Sequence, residues 1–398
     1  MIRAPDAIAG SATGRWSLGP RILSAAGRPG ERPGAALVAV AAFLAFGAVA
    51  LGRYQPLTYL VGDGPYYAGA AVSLLYDGDL DLRNQLRGGL PVHGPQIAIG
   101  ARGEWYPKHP ILLAVLGLPF LALFGMPGLL LLNLLVLAAL AGGMVRLGRR
   151  FAPAPAAALA VAALLLGTFV REYAYNLSPD LLAGLLATMM ALALLEGRMA
   201  AAGLLLGAMV MAKPLLVTFV PAALAYGLAR GRLRGGARLA LGGLVPVAAS
   251  LLLNCALFAS PFVTAYDRNI TVVGGTASIT SHRSLFDNDL MAGAAGQILD
   301  ARHGLLATAP ALLLAVPGAL VLLRRRPAEA VWLLGSAATL FVTLCAYRDW
   351  NQSHYGNRFL MAAVAFAAPA VAVALETLGH AARARFPVRR ATRATAGP

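Results

Sequence analysis

Charge is scarce in this 398-residue chain. Asp, Glu, Lys and Arg make up 13% of it, against ~25% in an ordinary soluble domain. Acids are scarcer than bases, with 17 Asp and Glu against 33 Lys and Arg. Cysteine is nearly absent: Cys255 and Cys345 are too few for a disulfide framework or a four-thiolate zinc site, and each lies in an apolar run as a small hydrophobe. Neither a dinucleotide-binding nor a P-loop glycine pattern occurs, which disfavours a nucleotide-sugar donor on the cytoplasmic side. What the chain has is apolar residues, 59% of the total, and a mean hydropathy of +0.69. A soluble protein of this length could not hide that much apolar surface, and a disordered one would not carry it. A polytopic membrane protein remains.

The apolar runs predict a multi-span helical bundle, all-α. Residues 1–33, with five Arg among Gly, Pro and Ser, read as a disordered basic cytoplasmic tail. Full spans are expected at 34–51, 128–145, 155–170, 180–195, 239–258, 304–323, 330–346 and 359–378. Residues 110–124, only about 15, are laid on the outer surface as a juxtamembrane helix. The stretch 199–229 is too short for two full spans and reads as a hairpin with Lys213-Pro214 at its buried tip. Residues 379–398 form a second basic cytoplasmic tail.

Positive residues accumulate on the cytoplasmic side of spans, and this topology satisfies that rule with both termini inside. It places 21 of the 33 Lys and Arg, and five of the 17 acids, in cytoplasmic segments. The whole net charge of +16 is then accounted for by orientation and by attraction to anionic membrane lipids, and nucleic acid is not expected as a partner. Twelve acids and five of the six His fall on the outer side. Chemistry is therefore expected outside the cytoplasm, near the outer loops 52–109 and 259–303.

The first outer loop contains Gly62-Asp63-Gly64-Pro65-Tyr66-Tyr67. Asp63 precedes a proline suited to a first helical turn, so it is either a helix-capping residue or a general base facing a membrane cavity. Asp77, Asp79 and Asp81 imitate a calcium loop, but Leu82 and Gly88 occupy the positions that need Gly and Glu, so a helix-ending turn is expected. At the loop's end, Lys108 and His109 either anchor to headgroups or bind the phosphate of a lipid-linked substrate. Lys213 lies between apolar half-helices, a costly position that demands a partner; the alternative is snorkelling to the surface. Arg358, beside Gly356 in a loop with Asp349 and His354, is either an interfacial anchor or a fork of donors for phosphate. The loop 259–303 shows no metal spacing and is assigned only to covering the cavity.

In order along the chain, these motifs resemble the GT-C superfamily of polyprenyl-phosphate-dependent membrane glycosyltransferases. The resemblance is to the branch that holds bacterial protein-mannosyltransferase-like and aminoarabinose-transferase-like proteins. The carriers are Gly62 to Tyr67, Asp77-Gly-Asp79-Leu-Asp81, Tyr106-Pro-Lys108-His109-Pro110, Gly203…Gly207…Lys213-Pro214 and Tyr355-Gly-Asn-Arg358-Phe. The resemblance covers about residues 35–378 and makes 34–378 one transmembrane glycosyltransferase domain. It implies a GT-C-like core in a bacterial inner membrane and an active site facing the exterior. It also implies a polyprenyl-phosphate-linked sugar donor, a glycan, lipid or protein acceptor, and inverting transfer with Asp63 as base. Tyr66 and Tyr67 would wall the sugar site, while Lys108, His109, Lys213 and Arg358 would bind the donor. Many relatives carry a second acid directly after the Asp; Gly64 stands there, and Asp180 is the candidate replacement. Among cofactors only a divalent cation stays open. The alternatives to transfer are a transporter or flippase for a lipid-linked saccharide, and a structural partner in polysaccharide assembly.

Overall fold

A computed structural model describes residues 32–53, 60–90, 96–273, 276–353 and 355–385. Most of both expected tails, and His354, lie outside the described residues. In chain order the helices are α1 Arg32–Arg53, α2 Gly64–Val72, α3 Arg83–Arg87, α4 Leu112–Phe124, α5 Met126–Gly148, α6 Ala154–Leu166, α7 Val170–Tyr173 and α8 Pro179–Leu195. They continue with α9 Met199–Ala212, α10 Val220–Phe258, α11 Leu290–Leu299, α12 Leu305–Thr308, α13 Ala315–Arg325, α14 Pro327–Ala346 and α15 Met361–Arg385. Five helical stretches are long and apolar enough to cross a membrane, and the protein is a helical membrane protein as its composition requires. α5 and α15 form the inside of the bundle, while α1 and the stretch 214–258 leave most of their apolar surface uncovered. That surface is at home only in lipid.

One expected span takes a different form, and two neighbouring segments take a definite one. The stretch 304–323 is not one helix. It is α12, a 3₁₀ turn at Pro310–Leu314 and then α13, because Pro310 cannot donate to the preceding turn. The expected cytoplasmic loop near 230–238 is almost wholly helical, and a single non-helical residue, Arg232 (φ 52°), turns α10 upon itself. The hairpin at 199–229 has its break at Lys213, which is extended (φ −151°, ψ 96°). Its tip lies level with the first turn of α8, because Lys213 pairs there with Asp180. α9, ~21 Å long against ~25 Å for α8, therefore runs back along nearly the whole of α8.

The glycines of this segment have a packing reason. A side chain on Gly203 would stand 1.9 Å from the Leu239 carbonyl oxygen, and one on Gly242 2.1 Å from that of Ala200. α9 and the second half of α10 touch backbone to backbone, as small residues allow in membranes.

A four-stranded sheet, not expected from the sequence, joins the loops. β1 Ile97–Ile99, β2 Trp105–Pro107, β3 Asn269–Val273 and β4 Thr276–Thr280 pair antiparallel in the order β2-β1-β3-β4. The sheet ties the two large loops, 52–109 and 259–303, together, with Ala98 opposite Asn269. The acidic run at 77–81 is the expected helix-ending turn: a π-helical turn, Ser73–Asp77, closes on Gly78 (φ 74°), and Asp79 accepts from the Ser73 hydroxyl at 2.8 Å.

Candidate active site

The bundle has two charged ends of opposite design. At one, arginines at helix termini hold the few acids: Arg150 with Glu196 at 2.5 Å, Arg325 with Glu376 at 2.7 Å and Arg230 with Glu329 at 3.6 Å. At the other, residues from widely separated segments of the chain meet in a buried cluster.

Asp63 sits at the N-terminus of α2, but its side chain makes no capping hydrogen bond. Its carboxylate instead lies 2.7 Å from Arg358 Nη2 and 3.4 Å from His109 Nε2. The capping reading of Asp63 is therefore wrong for the side chain. Burial pushes the Asp63 carboxyl up, and Arg358, with His109 and Lys108, more than reverses this, holding it well below the usual carboxylate range.

Arg358 is presented by a turn only glycine allows. Gly356 has φ 64°, and a side chain there would lie 2.4 Å from Phe169. Asn357 then starts the 3₁₀ turn Arg358–Leu360 by accepting from the Phe359 amide at 3.2 Å, and donates to Gln297 at 2.9 Å. Arg358 Nη1 reaches within 4.0 Å of Asp180. Asp180, in the first turn of α8 and 1% exposed, pairs with the Lys213 ammonium, which also lies 4.5 Å from the centre of the Phe359 ring. So the partner that a buried lysine needs is present, and Lys213 does not snorkel.

His109 stacks on Tyr67 at 5.6 Å. Its Nε2 bonds Gln96 Oε1, and its Nδ1 lies 3.3 Å from Tyr266 Oη. Since the amide oxygen only accepts, the ring proton is on Nε2 and Nδ1 accepts from Tyr266. Burial lowers the His109 pKa despite Asp63. The ring is neutral near pH 7. Lys108 lies beside this group; burial pushes its ammonium pKa down and Asp63 pushes it back up. Counting Lys108, Lys213 and Arg358 against Asp63 and Asp180, the cluster carries one surplus positive charge. Two buried donors, Tyr67 Oη and Arg358 Nε, have no hydrogen-bond partner among the described residues. A surplus cation and two unpaired donors suit an anionic, oxygen-rich ligand.

No family model matches the chain, and no curated protein sequence matches it. Among solved structures it resembles the crystal structure of ArnT from Cupriavidus metallidurans bound to undecaprenyl phosphate, with a TM-score of 0.56 and 16% identity. The two chains share a fold. The likeness covers 88% of this chain but 63% of the ArnT chain. It agrees with the GT-C-like helical membrane fold expected from the motif order.

Most of the expected site residues therefore converge: Asp63, Tyr67, Lys108, His109, Asp180, Lys213 and Arg358. Tyr66 does not. It packs with Leu82 and Ile97, and its hydroxyl accepts from the Gln96 amide at 3.1 Å, so it holds the loop that carries Gln96. Sequence reasoning missed Gln96 and Tyr266. Tyr266 comes from the loop assigned only to covering the cavity, and the sheet delivers it. His282, 5.1 Å from Tyr266 ring to ring, has its pKa lowered to about 4 by burial with Lys108 and His109. Among the described residues no three His, Cys, Asp or Glu side chains gather as a metal site.

Proposed function

We propose that the protein is an integral membrane glycosyltransferase of the GT-C type. It would move a sugar from a polyprenyl phosphate to an acceptor outside the cytoplasm. The observation that carries this reading is the buried chain of alternating charge, Lys213, Asp180, Arg358 and Asp63, with Lys108 and His109 beside it. The lipid phosphate in the ArnT structure supports a lipid-linked donor. The Arg-rich opposite end supports an inner-membrane orientation with both termini inside and the site facing out.

In the proposed reaction the acceptor hydroxyl attacks the anomeric carbon as the bond from that carbon to the phosphate oxygen breaks. Asp63 takes the hydroxyl proton, and the polyprenyl phosphate leaves with the electron pair. A single displacement inverts the anomeric centre. Arg358, Lys213 and Lys108 stabilise the charge developing on the leaving oxygen. Held by Arg358, Asp63 is a weak base; a donor phosphate that draws on the same guanidinium strengthens it. A sugar phosphate is also a good enough leaving group that no large upward shift is needed. His109 Nε2 lies 3.4 Å from the other carboxylate oxygen, with its proton directed to Gln96. The acceptor class, whether glycan, lipid or protein, is open in this reading.

The test is sugar transfer by purified Asp63→Asn protein in lipid vesicles containing a polyprenyl-phosphate sugar. Transfer should fall ~10²–10⁴-fold, the range for losing a general base, while donor binding is retained. Wild-type rates in Asp63→Asn would remove Asp63 from the chemistry. Transport of the lipid-linked sugar with no transfer by the wild type would favour the flippase alternative.

A further inference from the structure

At the end of the bundle away from Asp63, a small groove opens between three helices. Met189, Leu192 and Ala193 of α8 and Ala201 and Leu205 of α9 line it with apolar surface. Arg146, from the last turn of α5, Glu196 and Arg198 stand at its mouth. Arg150 bonds Glu196 at 2.5 Å, whereas Arg146 and Arg198 approach the same carboxylate only to 3.7 and 3.8 Å. The side chains of Arg146 and Arg198 are 54% and 68% exposed. Three guanidiniums thus face one carboxylate, leaving two positive charges, and two of the three keep most of their donors available. Apolar walls below and donors above match the two halves of one kind of ligand. The groove is also remote from the candidate active site, since α8, ~25 Å long, separates Glu196 from Asp180.

We propose that this groove is a binding site for an anionic phospholipid, with part of an acyl chain along Met189, Ala201 and Leu205 and the headgroup phosphate on Arg146 and Arg198. A free anion would have no use for the apolar walls, and a zwitterionic lipid would gain less from the surplus charge. The site is independent of the reaction proposed for the other end.

Two measurements on the full-length protein test it. The first is retention of phosphatidylglycerol by native mass spectrometry, in the wild type and in the Arg146→Gln/Arg198→Gln variant. Both arginines are exposed, and sugar transfer should be unchanged. Retained phosphatidylglycerol should fall at least threefold in the variant, and phosphatidylcholine retention should not change. Equal phosphatidylglycerol retention by both proteins overturns the site, as does inorganic phosphate displacing the lipid at millimolar concentration. The second is labelling of the wild type by a photoactivatable phosphatidylglycerol, which stays informative if the variant misfolds. Adducts should map to residues 186–206, and adducts confined to other segments overturn the proposal.

Discussion

Lys213 and Asp180 are the side chains whose partnership matters most. Each is costly to bury alone, and together they join α9 to α8 at the break in the membrane helix. Lys213→Met leaves a carboxylate that is 1% exposed with Arg358 4.0 Å away, and breaking such a pair costs ~3–5 kcal/mol. Thermal unfolding should show a clearly lower Tm for Lys213→Met, and Asp180→Asn/Lys213→Met should recover part of the loss. In the proposed reaction Lys213→Met also raises the apparent donor constant; unchanged donor affinity and turnover would reduce the lysine to a structural role. Asp63 adds a pH dependence of known sign. Its folded pKa lies below the unfolded value of ~3.9, so its stabilisation is present above about pH 4 and is lost as pH falls through the folded value. His109 and His282, held neutral by burial, act in the same direction from about pH 6.5 downward. The diagnostic is therefore the difference between wild type and Asp63→Asn: the acid decline in Tm below about pH 4 should be shallower in the variant. Parallel declines would mean that Asp63 is not held by Arg358 in solution.

Among the elements, the α9–α10 contact is the tightest to test. Gly203→Val pushes a side chain into the Leu239 carbonyl, and forcing extra atoms into a packed contact costs ~1–3 kcal/mol. Gly335→Val in α14 is the control, because nothing lies within 4 Å of its added carbon. Equal Tm for the two variants would contradict the close packing. Elements like these were readable from the chain because membrane helices announce themselves by length, and Lys213-Pro214 marked a break by its cost. The sheet was not readable. β1 and β2 are three residues each, too short for alternation to register, and β3 pairs with a strand about 170 residues earlier. With the sheet hidden, Tyr266 had no visible route to His109. Asp63 was legible as a residue of interest, but not as uncapped, since that depends on where Arg358 stands. Composition alone does not show how Pro310 divides the stretch 304–323.

At the scale of the whole molecule, the two ends are told apart by chemistry: arginines at helix termini on one, a nearly neutral buried cluster on the other. The proposed orientation puts Leu90, in the loop after α3, outside, and Leu233, beside the Arg232 turn, inside. In a cysteine-free background, a cysteine at 90 should react with an impermeant maleimide on intact cells or spheroplasts. One at 233 should react only after the inner membrane is permeabilised. The reverse pattern would invert the topology and with it the site's access.

The Arg232 turn divides the candidate site between two stretches of chain. Asp63, Lys108, His109, Asp180 and Lys213 precede it, while Tyr266 and Arg358 follow. A chain cut there yields two polypeptides, each with an incomplete set of charges. Pieces expressed separately should be inert, and pieces expressed together should regain activity only as α9 closes on the second half of α10. The site would then serve as a complementation reporter for the assembly of its own scaffold.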